Sequence, residues 1–171
     1  MATQIRRPLR FLSSDGGDNP RVLEVTEAAS QTFVAGDLVE LVDGKATEIT
    51  AADTTPKILG IAVADSTGTT DAACKVQVIR TNDIYITNAA STITVANLGV
   101  GYQLQTSAAG LWQINTTTTN PVAYIIDWVR GPDIDTSNNV ITKAIGDTYA
   151  EVMIKFIPIS IGATIDLVLQ G

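Results

Sequence analysis

The chain has 171 residues, enough for one domain that buries about 70% of the surface its unfolded form exposes. It holds no histidine and a single cysteine, Cys74, which excludes a Ser-His-Asp triad, a Cys-His dyad, a disulfide and a zinc site of the usual Cys/His type. Eleven Lys and Arg against eighteen Asp and Glu leave a formal charge of −7, which argues against nucleic-acid binding, since a phosphate backbone is held by surplus cations.

In chain order, the first element is an arm. Met1 to Leu12 carries Arg6, Arg7 and Arg10 and no acid, so the arm holds +3 and the rest of the chain −10. Ile5, Pro8, Leu9, Phe11 and Leu12 are interleaved with the arginines, whereas solvating tails are poor in apolar residues. Exposed ion pairs return only about 0.2 to 1 kcal/mol each against a backbone ordering cost of about 1 to 2 kcal/mol per residue. The arm is therefore expected to dock through Ile5, Leu9 and Phe11, with the arginines setting register against acids on a partner. Ser13 to Pro20 is rich in Ser, Asp, Gly and Asn and reads as a hinge. No apolar core of a secretory signal stands behind the arginines, so the chain is expected to stay in the cytoplasm.

About a third of the residues are Ile, Val or Thr, whose branched Cβ suits a pleated surface. The expected class is all-β: a small barrel or sandwich of short antiparallel strands and hairpins behind an extended N-terminal arm. Arg21–Val25 alternates like a strand. Leu38–Val42 and Lys45–Ile49 flank Asp43-Gly44, a strong hairpin signal because a type I′ turn needs φ > 0 at both central residues. Ile58–Val63 suits a buried strand, and Lys75–Arg80 and Asp83–Thr87 are the next alternating runs.

The second half echoes the first. Gly36-Asp37-Leu38-Val39 is matched by Gly101-Tyr102-Gln103-Leu104, Gly44 by Gly110, and Ile49–Pro56 by Ile114–Pro121. Ile58–Val63 matches Val122–Asp127, and Val76–Ile79 matches Val152–Lys155 after an insertion from Gly131 to Tyr149. Any two runs of short strands share such features, so the pseudo-repeat, residues 33–87 and 98–165 sharing one core, stands as an expectation. The domain plan is an arm and hinge over 1–20 and a β-rich body over 21–171. The longest apolar stretch, Phe156 to Ile165, is interrupted by Pro158, Ser160, Gly162 and Thr164 and falls short of the ~20 residues of a membrane-crossing helix.

Candidate chemistry is sparse. Asp133-Ile134-Asp135-Thr136-Ser137-Asn138-Asn139 spaces oxygen ligands as a calcium loop does, but the twelfth position is Ala144 rather than Glu, which favours an ordinary solvated turn. Gly99-Val100-Gly101 lacks the third glycine of a dinucleotide fingerprint. Asp127 beside Trp128 is the best single acid for general acid/base work, although neighbours in a strand point to opposite faces. Cys74 reads as a small buried hydrophobe. No catalytic residue, cofactor, metal or small-molecule substrate is expected.

The run Phe33-Val34-Ala35-Gly36-Asp37-Leu38-Val39-Glu40-Leu41, with Asp43-Gly44-Lys45-Ala46, Ile49-Thr50-Ala51-Ala52-Asp53 and Ile58-Leu59-Gly60-Ile61-Ala62-Val63, resembles the capsid decoration, or cement, proteins of tailed bacteriophages. The likeness covers residues 33 to about 87. It implies a β-rich body, commonly a homotrimer, on the outer face of the expanded head, clamping neighbouring capsomers of the major capsid protein after assembly in the bacterial cytoplasm. Within that family's plan the arm would bind the capsid through Ile5, Arg6, Arg7, Leu9, Arg10, Phe11 and Leu12. Two other readings stay open: a tail or head-fibre component, and a carbohydrate-binding module built around Trp112, Tyr124 and Trp128.

Overall fold

Branched residues and turn formers at short intervals produce fourteen strands and no α-helix among the described residues, which in this computed structural model are 3–14, 17, 19–50 and 57–158. Ala51-Ala52-Asp53, the rest of the Ile49–Pro56 echo and the apolar stretch beyond Pro158 lie outside them. β1 is Arg10–Ser14, β2 Val22–Glu27, β3 Leu38–Val42, β4 Lys45–Glu48, β5 Ile58–Ala62, β6 Ala73–Val78 and β7 Asp83–Ala89. After a short 3-10 turn at Val95–Asn97 come β8 Gly101–Tyr102, β9 Leu104–Thr106, β10 Trp112–Ile114, β11 Ala123–Trp128, β12 Gly131–Ile134, β13 Val140–Lys143 and β14 Glu151–Phe156.

The chain divides into two compact units, one of Ser14–Asp83 with Phe156–Gly171 and the other of Met1–Ser13 with Ile84–Lys155. In the first, β2-β4-β3-β5-β6 close into a barrel around Phe33, Val39, Ala46, Leu59, Cys74, Val76 and Val78. Closure removes unpaired strand edges. The β3–β4 turn has φ of 49° at Asp43 and 79° at Gly44, the geometry expected of Asp-Gly. β3 serves both β4 and β5, and its register shifts between Val39 and Glu40, a bulge that turns the barrel corner. The glycine of Ile58-Leu59-Gly60-Ile61 is required by closure: a Cβ there would overlap the Gln77 carbonyl oxygen and lie 2.7 Å from Val76 Cγ1. At the β5–β6 loop, the buried Glu27 carboxylate accepts the Thr67 hydroxyl and the backbone N–H groups of Thr67 and Thr69, the latter two at 3.1 Å.

The second unit runs the same circuit. Its sheet order is β8-β11-β14-β7-β10-β9, and β8 and β9 are parted only by Gln103, at the place where β3 bulges. β2 pairs parallel with β4 and antiparallel with β6; β7 pairs parallel with β10 and antiparallel with β14. Individual bonds recur as well. Gly36 N–H donates to the Ala62 carbonyl at 2.9 Å and Gly99 N–H to that of Ile125 at 2.7 Å; Ala28 donates to Ala46 at 3.0 Å and Ala90 to Ile114 at 2.8 Å. Gly36, at φ 97°, thus corresponds to Gly99, at φ 75°, and not to Gly101 as the sequence alignment has it. The 131–149 insertion stands where the barrel has its β5–β6 loop, and its first part is the β12–β13 hairpin.

Candidate functional site

Residues Thr3 to Leu9 have no ladder of their own. An isolated parallel bridge joins Thr3 to Thr148 and an antiparallel one joins Gln4 to Asp135; Gln4 N–H donates to the Thr148 carbonyl at 2.9 Å, and Thr136 N–H to that of Thr3 at 3.2 Å. From Arg10 the chain becomes β1 and adds to β7. The arm is extended, as expected, and it lies on its own chain: the insertion without an assigned role in the sequence is what receives it.

Beneath the arm, register aligns three buried polar side chains on neighbouring strands: Gln113 of β10 opposite Asn88 of β7, and Asn88 opposite Glu151 of β14. Buried amides and carboxylates need partners, and the arm supplies them to Asn88 and Glu151. Arg7 N–H donates to Asn88 Oδ1 at 2.6 Å, while Asn88 Nδ2 donates to the carbonyls of Ile5 at 3.3 Å and Tyr149 at 2.6 Å. The buried Gln4 side chain accepts from Glu151 N–H and donates to Asp147, both at 3.1 Å.

Charge closes the clasp. The Arg7 guanidinium forks onto Asp133 at 2.7 and 2.5 Å and reaches Glu151 Oε2 at 3.1 Å. Arg10 Nη2 lies 2.8 Å from Glu151 Oε1. The Lys143 ammonium contacts Glu151 and stands 3.2 Å from Asp133. Such bidentate, charge-assisted bonds fix orientation as well as adding energy. Arg7 holds the Asp133 carboxyl far below the usual carboxylate range, and Asp133 in turn raises the Arg7 guanidinium further. Burial pushes Glu151 up, but its bonds to Lys143 and Arg10 outweigh that and leave it lowered. Arg6 stacks over the Tyr149 ring at 4.4 Å, Phe11 meets Tyr85 edge-on at 5.8 Å and Leu9 is buried.

Of the seven arm residues singled out by sequence, Ile5, Arg6, Arg7, Leu9, Arg10 and Phe11 are engaged here, and Leu12 is exposed. The acids that Arg7 and Arg10 meet here, Asp133 and Glu151, sit on this chain. Sequence reasoning missed Gln4, Asn88, Lys143, Asp147 and Glu151. The available signal was complementary charge: a stretch of three arginines without an acid, and an insertion whose acids have Lys143 as their one cation.

The other candidates resolve simply. Asp135 Oδ1 accepts the N–H groups of Ser137 at 2.8 Å and Asn139 at 2.9 Å, closing the β12–β13 turn, and Asp133 is taken by cations, so the calcium-like spacing is a hairpin tip. Among the described residues no group of three or more His, Cys, Asp or Glu is arranged to hold a metal. Asp127 accepts two bonds from Arg130, at 2.9 and 3.0 Å, and is lowered by them. Arg130 also covers the Trp128 ring at 3.9 Å, and Trp112 is buried, a poor arrangement for stacking a sugar. Compared with family models, curated proteins and solved structures, the chain has no match.

Proposed function

We propose that this chain is a structural protein of a tailed-bacteriophage head: a decoration protein, acting as a homotrimer, that binds the shell exterior, clamps neighbouring copies of the major capsid protein and carries out no reaction. One observation supports this reading above the others. The stretch that carries the resemblance, from Phe33 onward, covers strands of a closed barrel, and Gly60 of its Leu59-Gly60-Ile61 run is the residue that barrel closure requires. Gly60 thus serves closure of the barrel in this chain. The arm from Gln4 to Leu12 is the proposed attachment segment, with Pro8 and Leu12 exposed even while it is docked.

The test uses expanded heads prepared without the protein. Added protein is expected to co-sediment with them in saturable amount and to raise the temperature at which they rupture. Protein that stays in the supernatant at every concentration overturns the reading. Light scattering on the free protein checks the trimer.

A further inference from the structure

We infer that the clasp is a self-masking latch: in the free chain Thr3–Leu9 occupy an acidic site on their own unit, and shell attachment draws them off it. The inference rests on the proposed shell-binding role, since Arg6, Arg7 and Leu9, which would meet the shell, are among the side chains the clasp holds.

Three observations carry it. Thr3–Leu9 are held by side chains and two isolated bridges, whereas Arg10–Ser14 are paired with β7, so the leading segment can leave without unpairing a strand. When Arg7 leaves, Lys143 still spans Asp133 and Glu151, and Arg10 still meets Glu151, so the emptied site keeps counter-ions and remains ready to close. Finally, the Arg7 fork is saturated by Asp133; an acidic shell site must compete for it, which keeps the free protein off other acidic surfaces. Salt weakens such partly exposed pairs, so the latch opens more readily as ionic strength rises.

Two full-length variants test this. Asp133→Asn loosens the closed state: trypsin is expected to cut after Arg6 at least 10-fold faster than in the parent. An unchanged cleavage rate overturns the charge latch whatever the shell result. Thr3→Cys with Thr148→Cys, at the bridged pair, locks the arm when oxidised. The locked form is expected to bind expanded heads at least 10-fold more weakly, with binding restored by reductant. Locked protein that binds as well as its reduced form overturns the latch and leaves the shell-binding role standing. Failure of the parent, the reduced and the Asp133→Asn proteins alike to bind heads sinks the shell-binding role and the latch with it.

Discussion

Replacing Glu151 with Gln removes a carboxylate that meets Arg7, Arg10 and Lys143 together. Its side chain is fully buried, while those of Arg7 and Arg10 are 32% and 40% exposed. Breaking a buried pair costs about 3 to 5 kcal/mol when the abandoned charge stays buried. Here Arg7 and Lys143 keep Asp133 and Arg10 can turn to water, so the expected loss is lower, about 2 kcal/mol. For a chain of this size that lowers the unfolding midpoint by roughly 4 to 8 °C. Scanning calorimetry reads the shift, and a double-mutant cycle with Arg10→Met is expected to return a coupling of about 1 kcal/mol. A midpoint within about 1 °C of the parent, together with zero coupling, would refute the claim that Glu151 organises the clasp.

Other outcomes rest on the same geometry. Asp133 and Glu151 have folded-state pKa values below their ordinary ones, so their contribution is complete above the unfolded carboxylate value of about 4 and is lost as pH falls through the folded values; amide exchange at Gln4 and Arg7, corrected for intrinsic rate, should keep its protection down to about pH 4 and lose it in stronger acid. Gly60→Ala forces a Cβ into the Gln77 carbonyl and is expected to cost about 3 kcal/mol or prevent folding, against about 1 kcal/mol for Gly44→Ala, where space is open but φ is 79°; chemical denaturation gives the order, and equal losses would contradict the closure argument. Cys74 is buried, and burial together with the Glu27 charge pushes its thiol up, so it should resist alkylation at about pH 8 in the native protein and react within minutes in denaturant.

Much of the fold was legible because its signals are local. Asp43-Gly44 dictates a turn that a few residues specify, and the alternating runs at 21–25, 75–80 and 83–87, which overlap β2, β6 and β7, need only a sheet to lie in. The duplication was visible in spacing, although Gln103 and the bulge at Val39 blur the alignment, enough to pair Gly36 with Gly101 in place of Gly99. The clasp was illegible for the opposite reason. Arg7 and Asp133 are 126 residues apart, and the alternation that turns Asp133 inward belongs to a hairpin whose register pairs it with Ile141; neither can be read from a neighbour. Arg7, Arg10 and Phe11 were recognised as docking residues from their chemistry, while the identity of the surface they meet depends on three strands brought level by tertiary pairing.

The matching circuits of the two units have an engineering consequence. Where the barrel joins its fourth and fifth strands with a short crossing, the second unit accommodates a whole hairpin, so this junction tolerates cargo. Ser137 and Asn138 at the hairpin tip are exposed and the described contacts of the clasp do not use their side chains, which makes that tip the natural port for grafting a display peptide onto the molecule.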